Sequence, residues 1–431
     1  MSQVSNKSIE RVHGLRVWDS RARPTVEVEI SLADGSVGRA IAPAGASTGS
    51  GEAVDRRDGG RRLGGWDVRD AVAAVEGEIA ECLCGMDATD QSAVDAAMID
   101  LDGQSNKGRL GGNAIVATSM AVAHAAAGSE PLWRHLGEGR DLHLPLPEIQ
   151  IFGGGAHASR RVDLQDFMVV PIGAPDYVTA IEQVTEVYLS AGRLLADRGI
   201  LQGVADEGGF WPAFTGNEQA LELLVLAIEG AGLTPGQDMA ISLDIAASQF
   251  YQDGLYHLAS DGRTLDTDGL SELLLGWLEK YPIAMIEDPL VENDRDGFVA
   301  FTKAAGDRVQ VVGDDYLVTN AGRVETAAKD GACNAVLVKP NQAGTLSEAH
   351  AALTAARENG FGAIVSARSG ESEDTTIVHL AVGWGALQLK VGSITRGERT
   401  AKWNEGLRIA DALGDGGRLP DPKLFPWGKP A

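Results

Sequence analysis

The chain has 431 residues, of which 44% are hydrophobic and 23% charged, an ordinary balance for a globular protein with a sizeable core. This composition excludes intrinsic disorder, collagen and a coiled coil, and the net charge of −24 argues against a general binder of nucleic acid or anionic membranes. We expect a cytoplasmic protein for three reasons. The chain has only three cysteines, its N-terminus has no apolar signal segment, and it has no stretch suited to span a bilayer.

The first third of the chain predicts a small α+β domain. Residues 15–42 alternate apolar and polar side chains around an Ala-Asp-Gly turn, which is typical of an antiparallel hairpin. A glycine-rich segment, residues 43–53, is expected to form a mobile loop. Residues 68–136 have helical spacing and many alanines. We therefore place a first domain at residues 1–142, ending close to the proline-containing segment LHLPLPE.

The remainder, residues 143–431, predicts a barrel. Short β-type runs alternate with helical stretches, which is typical of parallel strands joined by crossover helices. Seven such runs fit a (β/α) barrel better than an open sheet, which usually has fewer strands. The runs are FMVVPIG, MAISLDIAAS, IAMIEDPL, VQVVGDD, NAVLVKPNQ, GAIVSARSG and LQLKVGS.

Ionisable side chains stand at the ends of five of these runs. They are Asp244, Glu287, Asp314, Lys339 and Lys390, and two further polar pairs are Asp206-Glu207 and Arg368-Ser369. The carboxyl ends of barrel strands form one rim, where barrel enzymes have their active sites, so we expect these side chains to converge. A single Asp is better interpreted as an ordinary loop start. The whole set favours a site, because lysines are costly to bury unless they are paired.

The expected cluster indicates a particular chemistry. Three carboxylates on one rim suit Mg²⁺, which prefers oxygen ligands. Desolvation and the positive potential of a metal would lower the pKa of a nearby lysine toward that of a useful base. Such groups can remove a weakly acidic proton α to a carboxylate while the metal stabilises the charge that develops.

Eleven short motifs are spread over nearly the whole chain. They are DSRxxPTVEVE (19–29), PAGASTGxxEA (43–53), GGNA (111–114), GGAHA (154–158), DEGGF (206–210), LDIAAS (243–248), IEDPL (286–290), GDDYLVTN (313–320), KPNQAGT (339–345), SARSGESEDT (366–375) and KVGSITRGER (390–399). In this order the chain resembles the enolase family. The resemblance implies an α/β fold, in which a (β/α)8-type TIM-like barrel follows a smaller N-terminal α+β capping domain with a mobile GAST loop.

The resemblance also implies two Mg²⁺ ions in each active site. The first would be bound by Asp244, Glu287 and Asp314. The second would bind together with the substrate and would be reached by Ser47, when the GAST loop closes and excludes water.

Catalytic and substrate-binding roles follow from the same match. Lys339 would be the general base at the substrate's α-carbon, and Glu207 the general acid that helps hydroxide leave. Lys390 would lie beside the substrate carboxylate, and Asp166 belongs to the catalytic set near the leaving hydroxyl. The residues expected to contact substrate are His157, Gln165, Ala367, Arg368, Ser369 and Lys390, with Arg368 and Ser369 holding the phosphate.

Four departures from the family pattern concern the leaving-group half of the site and the first motif. SHRSG is SARSG here, so Ala367 replaces a histidine, which removes a proton carrier and opens a space about the size of an imidazole. QEF is QDF, so Asp166 replaces a glutamate. The residues before His157 read GGG in place of NGG, and Ala22-Arg23 replace the Gly-Asn of DSRGNPT.

Three functions are therefore weighed. The first is an enolase that converts 2-phosphoglycerate to phosphoenolpyruvate. The second is a specialised relative, of the carboxyphosphonoenolpyruvate synthase kind, that forms a phosphonate-bearing enolpyruvate for natural-product biosynthesis. The third is a non-catalytic binding or structural protein, against which the intact metal and base residues argue. The expected partners are a small phosphorylated or phosphonylated carboxylate and further copies of the chain, in a homodimer or higher homo-oligomer, with no nucleic acid and no membrane.

Overall fold

The computed structural model describes residues 6–158, 160, 162–414 and 416–428, so the predicted domain ranges 1–142 and 143–431 lie partly outside the described residues. The N-terminal part begins with an antiparallel sheet of β1 (Ile9–Trp18), β2 (Pro24–Leu32) and β3 (Val37–Ile41). The predicted hairpin is β2 and β3, and β1 adds a third strand on the other side of β2.

Helices cover the sheet, as the alanine-rich spacing predicts. They are α1 (Arg69–Ala74), α2 (Ala80–Leu83), α3 (Gln91–Asp102), α4 (Gly112–Ala127) and α5 (Leu132–Leu136). Nearly every residue of α4 is buried, because its alanines let it approach β2 and β3 closely. Gly38 in β3 makes this approach possible, since a Cβ atom there would lie 2.2 Å from the carbonyl oxygen of Ala121.

The remaining strands build a closed barrel and one small sheet. In chain order they are β4 (Leu146–Gly153), β5 (Asp166–Val170), β6 (Ala240–Asp244), β7 (Tyr251–Gln252), β8 (Leu255–Leu258), β9 (Arg263–Leu265), β10 (Ile283–Glu287), β11 (Gln310–Gly313), β12 (Ala335–Val338), β13 (Gly362–Ser366) and β14 (Gln388–Gly392). The barrel has eight strands in the order β10-β11-β12-β13-β14-β4-β5-β6, and β7 to β9 form a separate antiparallel sheet. The predicted fold class is confirmed.

Helices surround the barrel and bury its outer face. They are α6 (Tyr177–Asp197), α7 (Asn217–Gly230), α8 (Thr267–Lys280), α9 (Arg295–Ala305), α10 (Ala321–Asp330), α11 (Pro340–Ala343), α12 (Leu346–Glu358), α13 (Thr376–Trp384) and α14 (Gly397–Leu413). Several begin where a side-chain oxygen accepts a hydrogen bond from the first turn, as Asp176, Asp266 and Thr345 do for α6, α8 and α12. With both faces covered, strands such as β6 and β10 are buried throughout, which explains their continuous apolar runs.

One expectation about the barrel was wrong. The run FMVVPIG was expected to be a parallel strand, but β5 is antiparallel to both β4 and β6. The described residues between β4 and β5 contain one short 3₁₀ turn, Gly155–Ala158, in place of the crossover helix that a parallel return needs. Neither β4 nor the sheet of β7 to β9 was among the predicted strand runs.

The domain boundary after residue 142 stays a prediction. Among the described residues, none of the helices combines the length and the hydropathy required to cross a bilayer.

Candidate active site

The predicted ionisable residues meet at one end of the barrel. Asp244 and Glu287 are the last residues of β6 and β10, and these neighbouring strands hold them side by side. Asp314 and Lys339 directly follow β11 and β12, while Lys390 lies within β14. All five side chains are buried. The expectation that the strand ends converge on one rim agrees with this arrangement.

Two lysines separate the three carboxylates. Lys390 Nζ lies 2.9 Å from Asp244 Oδ2 and 2.5 Å from Glu287 Oε2. Lys339 Nζ lies 2.5 Å from Asp314 Oδ2. The polar network continues outward, because Gln165 donates to Asp244 at 2.9 Å. Each lysine is therefore neutralised by the residues that the sequence analysis assigned to a metal.

The lysine pKa values differ from the sequence-based expectation. Burial disfavours the charged form of Lys390, but Asp244 and Glu287 outweigh burial and raise its pKa well above the ordinary lysine value. For Lys339 burial is likewise outweighed, by Asp314, and its pKa is raised. The expected lowering of a lysine pKa therefore requires a further cation that neutralises the carboxylates.

One buried carboxylate oxygen without a hydrogen-bond partner indicates that Mg²⁺ fits these residues. Glu287 Oε1 is buried and has no hydrogen-bond partner among the described residues, and burial together with Asp244 raises the pKa of this carboxyl well above its usual range. Carboxylate oxygens are the ligands that Mg²⁺ prefers, and the enolase resemblance requires this same set, so the residues fit the ion.

Other acidic groups are more tightly clustered than the predicted metal ligands. Ligand atoms of three residues lie within 4.8 Å of one another in two described groups: His157, Asp166 and Glu207, and Asp288, Asp314 and Asp315. The predicted trio of Asp244, Glu287 and Asp314 is not one of these groups. In this arrangement Asp244 and Glu287 share the ammonium group of Lys390, whereas Asp314 is paired with Lys339.

A proton-transfer cluster lies beside the lysines. His157 Nε2 is 3.8 Å from both Asp166 Oδ2 and Glu207 Oε1, and all three side chains are buried. Burial, reinforced by Glu207, raises the pKa of Asp166 to about 7 even though His157 opposes the shift. Burial also acts on Glu207, but His157 and Arg399 outweigh it and lower the pKa of that carboxyl. The surroundings therefore favour protonation of Asp166 over protonation of Glu207, the residue assigned as general acid.

Gln150 of β4 is a residue that the sequence analysis missed. Its side-chain amide donates to Asp166 Oδ1, and its carbonyl oxygen accepts from the backbone N–H of Gly209 at 2.8 Å. Gln150 thus links Asp166 to the DEGGF segment that carries Glu207. Recognition of β4 as a strand would have placed this side chain in the barrel.

The other end of the site is built around Arg368. Its guanidinium donates to both carboxylate oxygens of Glu52, at 3.0 and 3.1 Å, and to the backbone oxygen of Ser47 at 2.9 Å. It also donates to Asn341 Oδ1 at 3.0 Å. Ser369 Oγ accepts from Arg21 at 3.1 Å. The GAST loop is thereby tied to Arg368, and Glu52, Arg21 and Asn341 were not among the predicted residues.

The active-site cavity is small in this structure. Ala367 lines a cavity of about 20 Å³ together with Ser47, His157, Gln165 and other predicted residues. This volume holds about one water molecule. A substrate of several heavy atoms therefore requires the GAST loop, whose Ser47 backbone oxygen accepts from Arg368, to move away.

Two family models match the chain. "Enolase, N-terminal domain" matches residues 9–136, and "Enolase, C-terminal TIM barrel domain" matches residues 141–422. The two matches cover most of the sequence, and they agree with the sheet-and-helix region and the barrel described above. Members of this family generally use Mg²⁺. The chain therefore belongs to the enolase family and is an enolase-superfamily lyase.

Proposed function

We propose that the protein catalyses Mg²⁺-dependent removal of the α-proton and β-elimination of water from 2-phosphoglycerate or a close analogue, which gives phosphoenolpyruvate. The main support for this proposal is that two buried lysines, Lys339 and Lys390, form ion pairs with three buried carboxylates at the barrel rim. A protein that only binds a partner has no need of two buried lysines, which are costly to desolvate. A cytoplasmic location is part of the proposal.

The chain's residues divide the reaction into two proton transfers. Mg²⁺ held by Asp244, Glu287 and Asp314 would supply positive charge for the substrate carboxylate as the α-proton leaves. Lys339 takes that proton from the α-carbon. The departing hydroxyl takes a proton from the buried cluster of His157, Asp166 and Glu207, and leaves as water.

The phosphoryl group would be held at the opposite end by Arg368 and Ser369. Arg368 can present two N–H groups to an anion, since it already binds the carboxylate of Glu52 through two nitrogens. Substrate must therefore compete with Glu52 for this guanidinium. Closure of the GAST loop then excludes water from the reacting carbons.

The test is purified protein with Mg²⁺ and 2-phosphoglycerate, followed by the ultraviolet absorbance of the enolpyruvate product and by exchange of the substrate's α-proton in heavy water. We expect turnover in the usual enzyme range of about 1–1,000 s⁻¹. Lys339→Ala should abolish both signals, and Lys303→Ala, which changes an exposed lysine on α9, should abolish neither. The lack of product and of exchange in the wild-type protein would refute the proposal.

A second candidate is a relative that forms a phosphonate-bearing enolpyruvate, of the carboxyphosphonoenolpyruvate synthase kind. Ala367 and Asp166 favour it, because both line the same cavity as Arg368 and Glu207 and both differ from the family pattern. In the test above, α-proton exchange without product would support this second candidate. Product formation at a normal rate would refute it.

We also propose that the protein works as a homo-oligomer, at least a dimer. Two large apolar side chains of β1 support this proposal, since Leu15 is 48% exposed and Trp18 is 50% exposed. Light scattering on the purified protein tests it, and a monomer at micromolar concentration would refute it.

A further inference from the structure

A second cleft lies away from the active site, between α5 and the barrel helices α12 and α13. We call it the Trp384 cleft; it has a volume of about 260 Å³, and its lining includes Gln91, Ala126, His135, Arg140, His350 and Trp384. Ligand clefts usually measure about 300–1,000 Å³, so this one suits a small molecule. It shares no lining residue with the active-site cavity.

The charge of the Trp384 cleft is unusual for this protein. The chain carries 61 acidic and 37 basic residues, yet no described residue that lines the cleft is acidic. Two larger cavities do have acidic linings, with Glu52 and Asp55 in one and Asp163 in the other. The cleft instead presents Arg140 at its edge.

The surroundings of His350 reveal a positive potential inside the cleft. Burial lowers the pKa of His350, and Arg140 and Arg357 lower it further. Arg140 donates to the carbonyl oxygen of Gly383 at 3.0 Å, which uses only part of its donor capacity. An anion at the mouth of the cleft would therefore find an available guanidinium.

Three carboxylates that touch lining residues are already engaged. Asp87 accepts hydrogen bonds from the backbone N–H of Thr89 at 3.0 Å and from Thr89 Oγ1 at 2.8 Å. Asp95 is fully buried and accepts hydrogen bonds from Ser347 Oγ at 2.6 Å and from Ser119 Oγ at 2.7 Å. Glu130 Oε2 lies 3.9 Å from His135 at the exposed edge. None of the three contributes a side chain to the lining of the cleft.

The inner part of the cleft is apolar and partly aromatic. The rings of His350 and Trp384 lie 5.1 Å apart between centroids, at 46° to each other. Ala123, Ala126 and Leu346 are buried and line the cleft beside them. This surface favours a flat apolar body, whose ring can pack against the aromatic wall.

We propose that the Trp384 cleft is a second small-molecule site, which binds a monocarboxylate carrying a flat, apolar ring. Arg140 pairs with the carboxylate, and the wall of Trp384 and His350 receives the ring. This proposal does not depend on the substrate of the active site.

Fluorine NMR tests the proposal, with 4-fluorobenzoate as the probe and 4-fluorobenzamide as its neutral counterpart, on the full-length protein without Mg²⁺. We expect the benzoate to bind with a millimolar Kd. Arg140→Gln should weaken this binding about tenfold. Arg134→Gln should leave it unchanged, because Arg134 is an exposed residue of α5 that does not line the cleft. The amide should bind about tenfold more weakly than the benzoate. The proposal is overturned if the benzoate does not bind at millimolar concentration, if Arg140→Gln leaves its affinity unchanged, or if the amide binds equally well.

Discussion

Lys402→Met should destabilise the protein strongly, because Lys402 forms a buried ion pair next to the phosphate end of the site. Its ammonium group lies 3.0 Å from Glu371 Oε2 and donates to the backbone oxygens of Ser372 and Glu398 at 3.0 and 3.1 Å. These three partners use all three N–H groups. Glu371 is also buried, and its other oxygen accepts from the backbone N–H of Arg368 at 2.9 Å.

The magnitude follows from what the substitution leaves behind. Methionine fills a similar volume without charge, so Glu371 and two carbonyl oxygens lose their cation in a site that water does not reach. Removal of one partner from a buried pair costs about 3–5 kcal/mol. The urea dependence of unfolding is at least about 3 kcal/mol per molar for a chain this long, so the midpoint of unfolding should fall by at most about 1–1.7 M.

Lys280→Met is the matched control. Lys280 also contacts a glutamate, Glu218, at 2.6 Å, but the two side chains are 55% and 43% exposed. Solvent screens such a pair, so the control should hardly move the midpoint. The double variant Lys402→Met/Glu371→Gln removes both buried charges and should recover part of the loss.

Urea unfolding, followed by circular dichroism, compares the four proteins. A Lys402→Met midpoint equal to that of Lys280→Met would refute the reasoning, since burial would then add nothing to the pair. A second readout is KM for the phosphorylated substrate. It should rise in Lys402→Met and not in Lys280→Met, because Glu371 positions the backbone of Arg368.

Three further predictions concern the site itself. If 2-phosphoglycerate is a poor substrate, Ala367→His should raise its kcat by about tenfold or more, and an unchanged or lower kcat would exclude position 367 as the specificity switch. Mg²⁺ at 100 times its Kd should stabilise the wild-type protein by about 2.7 kcal/mol in thermal unfolding, and a full gain in Glu287→Gln would contradict the assigned ligand. In the metal-free protein the urea midpoint should fall as pH rises from 5 to 7. In the folded state the pKa values of Asp166 and Asp315 are raised to about 7, so both carboxyls hold their protons over much of this range. The unfolded chain has already lost these protons at pH 5, so a rise in pH favours unfolding. Asp166→Asn should reduce that slope, and an unaltered slope would show that Asp166 does not titrate in this range.

The sequence was sufficient to predict the barrel and the residues of its rim. The apolar runs of β6 and β10 stop at Asp244 and Glu287, and this change from apolar to ionisable is a local signal that needs no knowledge of distant contacts. The antiparallel direction of β5 carried no such signal. A strand's composition does not depend on whether its neighbour runs parallel or antiparallel when both faces are buried.

The contacts that complete the site depend on tertiary structure. Glu52 and Arg368 are 316 positions apart in sequence, and their pairing follows only from the way the GAST loop lies over the barrel. Gln150 and Asp166 are close in sequence, but their hydrogen bond needs the antiparallel pairing of β4 and β5. The pKa of Asp166 is raised and that of Glu207 is lowered, and both shifts likewise depend on burial and on the position of His157.

The balance of charge at the rim explains why a lysine base and a metal site occupy the same few residues. Asp244, Glu287 and Asp314 face two ammonium groups, which leaves one carboxylate in excess, and Glu287 has the raised pKa and the unpartnered oxygen that such an excess produces. While that excess persists, the carboxylates hold the proton on Lys339 and Lys390. A bound divalent cation would change the net charge of these five side chains and the ion from negative to positive. The positive potential would then disfavour the protonated form of both lysines and lower their pKa values. Binding of the cation and activation of the base are, on this reasoning, one electrostatic event.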